Sequence, residues 1–368
     1  MAISEDIASR LTMRDIALQR IGAGQWNKIA RLLRQVERDI VRKLKDVDPS
    51  GPSRHAFRVR RLELLQKEVQ GILRDGYNGI NRTMRGDMRD MAGSEAASIA
   101  STVNRTVGVD LFTIGLSDDT LISLADDVLI LGAPANEWWQ GQARGTLDAY
   151  TREMRQGIAT QESLSDLIRR IRGTRERGFR DGIMQTTRNS AERMARTSVQ
   201  SVANATRDAM FRANGDVLRG VQALAVLDTR TSDICIARSG SSWNVQTGRP
   251  LPESPRQEPY PGAPPWHWRC RTSLIPVVKS FEDMLGSKGT ALDEQLRRAG
   301  PGMQASMNGQ VSGDLTFGDV LPTWTEEEQI EALGRGKWTL WKEGKLTLPD
   351  MLDQNGRPLT VAELEEAA

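Results

Sequence analysis

The sequence predicts an α+β protein: a mainly helical N-terminal body, a small strand-containing module at about 216–280, and an acidic helical tail. Three observations carry that prediction. Apolar residues recur every three or four positions through most of the first 214 residues. The pattern then changes to short apolar runs separated by Pro, Gly and Ser. Charge also changes along the chain. Lys and Arg outnumber Asp and Glu by 16 to 10 in residues 1–80 and by 11 to 6 in residues 161–215, but residues 281–368 carry 8 against 16. The boundaries expected on this basis are 1–135 for a helical arm and hairpin region, 136–280 for a central domain, and 281–368 for a tail module.

Residues 3–47 read as helix, with a break expected near Gly22 and Gly24. Within it Trp26, Ile29, Leu32, Leu33, Val36, Ile40, Val41 and Leu44 fall on one face. DPSGPS at 48–53 stops that helix. A second begins near His55, read as a surface residue, and lines up Phe57, Leu62, Leu65, Val69, Ile72 and Leu73. The two together predict an αα-hairpin. A separate helical segment is expected over 79–106 and another over 117–131. In GAPANEWW, Pro134 opens a turn and Asn136 is the expected cap of a helix reaching residue 156. Ser163 opens the next, to about 177, and the longest helix is expected over 181–214, ended by Gly215.

VQALAVLD, 221–228, reads as a strand, and SSWNVQTGRP, 241–250, as a short hairpin arm. Residues 251–265 hold six prolines and no helix. RCRTSLIPVV, 269–278, reads as a second strand. Two strands thus bracket a long excursion, and loops of that length are uncommon unless functional or tied down. Residues 281–300 are expected to be helical and 301–313 a linker. Thr325 and Glu328 form a capping-box signal, and the chain ends in a helical pattern.

Composition excludes several classes. Two cysteines in 368 residues are no disulfide scaffold. MAISEDIASR is acidic and lacks a following apolar run, so no secretory leader is expected. No apolar run approaches 18 residues, so no membrane span is expected. GxGxxG, the phosphate-binding loop and HExxH are all absent. The arginine-rich stretch containing Arg169, Arg170, Arg172, Arg175 and Arg177 is a candidate contact for phosphate or for an acidic protein surface. The alternative is a solvated helix face.

One constellation carries chemical content. Cys235, His267 and Cys270 combine thiolate and imidazole donors, and the three-residue step in HWRC lets His267 and Cys270 turn toward one point. Zinc is one reading, with Asp228, Asp233 or water as the fourth ligand. A Cys235–Cys270 disulfide is a second, opposed by a reducing cytoplasm. A third is two buried thiols acting as small hydrophobes, with no cofactor. Catalysis by a Cys235–His267 pair, with Asp228 orienting the imidazole, is a fourth. In LDTRTSDIC, Asp228, Arg230 and Thr231 are expected to pin the turn after the strand, with Thr231 and Ser232 satisfying backbone amides.

ARTSVQSVANATRDAMFRAN (195–214), GVQALAVLDTRTSDIC (220–235), the proline loop and HWRCRTSLIPV (267–277) together resemble the Mu gpF-like, SPP1 gp7-like family of phage minor head morphogenesis proteins. Arg196 and Thr197 match its helix signature. Asp228, Arg230, Thr231 and Cys235 match its turn, and His267, Cys270 and Arg271 its closing motif. Many members carry cysteines where Ser232 and Thr272 stand here, so one cysteine pair is missing. The resemblance implies a virion protein made in host cytoplasm and located in the inner head or at the portal vertex. Its implied partners are the portal protein, major capsid or scaffold proteins and packaged double-stranded DNA. It implies a structural role, with Asp228, Arg230, Thr231 and Arg271 clamping the excursion onto the strands. Two other functions compete: a cysteine-dependent hydrolase or nuclease carried in the virion, and a non-specific DNA-binding protein.

Overall fold

The computed structural model describes residues 2–48, 55–290, 293–294 and 303–367. It is mainly helical, with small antiparallel sheets, as the sequence predicts. Helices α1 (Ala2–Val47), α2 (His55–Val107), α3 (Asp118–Asp126), α4 (Ala135–Ala159), α5 (Leu164–Arg172) and α6 (Ile183–Ala213) precede the first strand. Residues 49–53 of the expected helix stop, Arg54 and the His55 side chain lie outside the described residues. The chain divides into two compact units, each discontinuous in sequence. One comprises 1–19, 89–125 and 200–368, and the other 20–88 and 126–199.

In the second unit α1 and α2 form the expected hairpin. Ile29, Leu33, Val36, Ile40 and Leu44 of α1 are buried, as are Leu65, Val69, Leu73 and Ile80 of α2. Lys28 pairs with Asp87 at 2.6 Å and Lys43 with Glu68 at 3.2 Å. Two expectations fail here. The helix does not break at Gly22 and Gly24: α1 runs through both. The segments expected at 55–73 and 79–106 are one helix of 53 residues. Isolated glycines cost a helix only about 1 kcal/mol each, and burial of the apolar face outweighs that. A cβ on Gly22 would lie 3.6 Å from the Arg196 backbone of α6, so this glycine sits where two helices approach closely.

Farther along the chain, Pro134 rather than Asn136 takes the cap position of α4. Ser163 caps α5 with a reciprocal Asp166 bond, and the helix stops at Gly173, where φ is +89°. Tyr77 Oη, Thr146 Oγ1 and Thr187 Oγ1 form a buried polar chain from α2 through α4 to α6. Glu37 of α1 accepts from Arg172, at 3.1 Å, and from Arg188.

The first unit contains the sheet. β1 (Leu218–Leu224) lies between β2 (Ser242–Trp243) and β3 (Ser273–Val278), antiparallel to both. Val221 faces Trp243 on one side and Pro276 on the other. The first strand therefore starts and ends a few residues earlier than 221–228. Its core joins Val221, Trp243 and Leu274 to Phe211 of α6, Ile99 and Val103 of α2, and Ile7 and Leu11 of α1. α7 (Asp233–Ala237) follows the turn after β1, and α8 (Phe281–Leu285) follows β3. The helix expected over 281–300 is helical at Phe281–Leu285, passes into a 3₁₀ turn at Gly286–Lys288, and is helical again at 290 and 293–294; residues 291–292 and 295–300 lie outside the described residues.

The linker expected at 301–313 is instead a β-hairpin, β4 (Met303–Ser306) and β5 (Gly309–Ser312). Its turn is Met307-Asn308, closed by the Ser306–Gly309 pair, and φ is +111° at Gly309. The hairpin hooks onto the turn after β1: Leu227 N donates to Ala305 O at 3.1 Å, and Met307 N to Leu227 O at 2.8 Å. Beyond it come α9 (Phe317–Val320), α10 (Glu326–Leu333), α11 (Arg335–Lys342) and α12 (Val361–Ala367). The expected capping box of Thr325 and Glu328 opens α10. Phe317, Leu321, Leu340, Met351 and Leu364 share one apolar core with Leu227, Ile236 and Ala237. Among the described residues, no helix is long and apolar enough to cross a membrane.

Candidate functional site

The turn leaving β1 is built by one carboxylate. Asp228 Oδ1 accepts from the Arg230 backbone amide at 3.0 Å and from Thr231 Oγ1 at 3.2 Å. Thr231 Oγ1 also donates to Val226 O, and its amide to Asp228 O. Both guanidinium arms of Arg271 then reach Asp228, each at 2.6 Å. That bidentate pair joins the turn to the entry of β3. Arg230 adds a 3.3 Å contact, but its side chain is 80% exposed. Burial opposes ionisation of Asp228, yet the Arg271 hydrogen bonds hold its carboxyl below the ordinary range. Asn204 of α6 braces the same strand entry, donating to Thr272 O and accepting from Leu274 N, each at 3.4 Å.

The turn delivers Ser232 to the cap position of α7 and Cys235 to its first turn. On the far side of the proline excursion, Cys270 N donates to His267 O, folding HWRC back on itself. Arg269, φ +62°, supplies the left-handed step. These two short segments meet. Ser232 Oγ is 2.8 Å from His267 Nε2, Cys235 Sγ is 3.1 Å from the same nitrogen, and the two sulfurs stand 3.5 Å apart, unbonded. His267 Nδ1 faces Trp268 O at 2.9 Å. Both cysteines are 2% exposed. The hydrogen bond with Cys270 and burial push the Cys235 thiol well above its ordinary value. Burial opposes ionisation of Cys270, but its hydrogen bonds from Cys235 and His267 carry it well below. The donor atoms of Cys235, His267 and Cys270 all lie within 4.8 Å of one another, as a metal-binding set requires. Asp228 and Asp233, the carboxylates expected as a fourth ligand, are held elsewhere: Asp228 by Arg271, and Asp233 by Lys337 at 2.6 Å.

The excursion between Cys235 and His267 is pinned along its length by residues the sequence did not single out. Glu258 pairs with Arg238 at 2.5 Å and Arg256 at 2.9 Å, all three nearly buried. Arg238 also lies over the Trp266 ring, 4.8 Å from its centre. Trp243 Nε1 donates to Glu258 O at 2.9 Å, which ties the loop to β2. Arg256 donates to the carbonyls of Pro349, Leu352 and Asp353 in the tail. Two glutamates, Glu253 and Glu258, in a proline-rich stretch carry no pattern, so only the fold reveals that Glu258 meets two arginines.

The other expected site residues lie on α5, the loop after it, and α6. Arg169 pairs with Asp166 at 2.6 Å, Arg170 with Glu153 at 2.6 Å and Glu162 at 2.5 Å, and Arg172 with Glu37 at 3.1 Å. Arg175 and Arg177 are exposed on the 173–182 loop, which Asp181 closes by accepting from Thr174 N and Oγ1. Arg196 pairs with Glu192 one turn back, and Thr197 is buried in α6.

Residues 148–275 match the family described as phage Mu protein F like protein, a span that runs from α4 through the clamp to β3. No curated protein and no solved structure matches the chain.

Proposed function

We propose, from the premise that residues 148–275 make this chain a member of the phage Mu protein F like family, that it is a minor structural protein of a phage head. It docks at the portal vertex and acts in head assembly and in genome packaging or delivery. Its partners are the portal protein, the major capsid or scaffold proteins, and packaged double-stranded DNA. It is made in host cytoplasm and carried in the virion. The observation that supports this reading best is the clamp within the matched span. The Asp228–Arg271 pair and the Glu258 cluster spend their charges on holding the proline excursion to the sheet. Such a body is rigid and presents a fixed surface. Arg169, Arg172, Arg175 and Arg177 of the arginine-rich stretch are exposed, and they suit phosphate or an acidic portal face.

The test compares heads assembled with and without portal protein. This chain is expected to copurify with heads only when the portal is present. Equal incorporation without it, or normal heads and genome delivery when the chain is deleted, contradicts the proposal. A cysteine-dependent hydrolase is the second reading, favoured by the 3.1 Å Cys235–His267 contact. Against it, His267 turns its other nitrogen to Trp268 O rather than Asp228, and both thiols are sealed from solvent. Rapid modification of Cys235 in the native protein by a bulky thiol reagent would revive it.

A further inference from the structure

We propose that Ser232, Cys235, His267 and Cys270 form a four-coordinate site for a thiophilic divalent cation, zinc by the chemistry of its donors. The site arises from two matching steps. Ser232 and Cys235 are three residues apart at the start of α7, and His267 and Cys270 are three apart in the folded-back HWRC segment. Each step turns two donors toward one point, and the two pairs face each other. The contacts of 2.8, 3.1 and 3.5 Å link all four donor atoms: Ser232 Oγ, Cys235 Sγ, His267 Nε2 and Cys270 Sγ.

The histidine is oriented for this role. Nδ1 against the Trp268 carbonyl must carry its proton, which leaves the Nε2 lone pair directed at the other three donors. One lone pair cannot accept well from a hydroxyl and a thiol together, whereas one cation engages all four groups. Charge agrees. Two thiolates balance a dication, and the imidazole and hydroxyl are neutral, so the loaded site has no net charge to bury. Two sulfurs, one nitrogen and one oxygen suit tetrahedral zinc, while calcium and magnesium need six or more oxygens. With Asp228 and Asp233 already paired, Ser232 is the fourth donor at hand. On binding, both sulfurs engage as thiolates and Nε2 through its lone pair, so whatever protons these three groups held pass to solvent as the two sulfur–metal bonds and the nitrogen–metal bond form. The ion would cross-link the two ends of the proline excursion beside the Asp228–Arg271 pair.

The full-length chain, stripped with chelator under reducing conditions, is titrated with cobalt(II). One equivalent is expected to bind, with the visible bands of a tetrahedral ion and a near-ultraviolet thiolate charge-transfer band. Zinc should displace it and release no further protons. S232C should raise the charge-transfer intensity by about half, since two thiolates become three. S232A should keep the two-thiolate band and bind more weakly, and H267A and C270S should lose stoichiometric binding. S232C decides the matter even if those two variants fail to fold. Wild-type protein that takes up no stoichiometric cobalt, or binds it without a charge-transfer band, overturns the site. A band unchanged in S232C overturns the assignment of Ser232.

Discussion

At the scale of single residues, the clamp makes two predictions. Asp228→Asn keeps the volume but removes the charge that Arg271 grips with both arms. With the Asp228 side chain 9% exposed and Arg271 22%, the loss should be about 2 kcal/mol, read as a lower urea midpoint at unchanged slope. Glu258 gives a pH dependence. Burial opposes its ionisation, but Arg238 and Arg256 hold its carboxyl below the ordinary range. A depressed carboxyl stabilises the fold fully above its unfolded value, about 4.3, and that contribution disappears as pH falls through the lower folded value. Wild type should therefore lose stability in that acid window. Glu258→Gln should be less stable by about 3 kcal/mol at pH 7, because two nearly buried arginines lose their partner, and flatter below pH 4. Parallel acid titrations followed by tryptophan fluorescence check this, since Trp243 bonds the Glu258 carbonyl and Trp266 stacks on Arg238. The legible part of the site was the part whose residue types are rare. One histidine and two cysteines announce a constellation, and Asp228, Thr231 and Arg271 stand close to them in sequence. Ser232 was legible only as a turn residue and Glu258 not at all, because serine and glutamate are common and their partners lie 35 and 20 residues away.

At the scale of elements, two contacts decide how the helices lock. Arg207 of α6 and Glu95 of α2 are both fully buried and 2.7 Å apart, with Asp15 and Arg14 of α1 completing the cluster. Either single replacement by Met should cost about 3–5 kcal/mol, because it breaks a buried pair and leaves the remaining three charges of the cluster unbalanced. The double replacement should cost clearly less than the sum, by more than about 1 kcal/mol in a double-mutant cycle. Equal and additive losses would mean that the two charges do not depend on each other. In the α1–α2 hairpin, a Cβ on Gly76 would lie 2.4 Å from Val36 Cγ2. Gly76→Ala should thus lower stability by about 1–3 kcal/mol despite the better helix propensity of alanine, and V36A in the same chain should return part of it. The elements were mostly legible because amphipathic spacing is a strong signal. Their ends and continuity were less so. Gly22 and Gly24 looked like a break because local propensity says nothing of a neighbouring helix. Met303–Ser312 looked like a linker because Gly, Ser, Met and Asn dominate it. Its Asn308 and Gly309 were the hairpin signal, and the edge it pairs with, Leu227, lies 79 residues upstream of its bridge partner Ser306.

At the scale of the whole molecule, the charge asymmetry has a structural use. The acidic tail is packed on the strand-containing module within one compact unit, rather than held off it. Asp233 at the start of α7 meets Lys337 of α11, and Arg256 of the proline loop fills three tail carbonyls. Leu227 and Ile236, 0% and 2% exposed, are covered by Phe317, Leu321 and Met351. A chain ending at residue 300 should therefore be more than a shortened protein. It uncovers Leu227 and Ile236, each worth about 1.5–3 kcal/mol of burial, and it frees Asp233 from Lys337 and Arg256 from the tail carbonyls. Ile236 adjoins Cys235 in α7, so loosening this helix should expose the thiol. The expected results are faster hydrogen exchange at 225–238 and 251–270, and modification of Cys235 by a thiol reagent that spares the full chain. Exchange in these segments that is unchanged by truncation, with Cys235 still protected, would mean that the tail folds as a separate body and that the clamp stands without it.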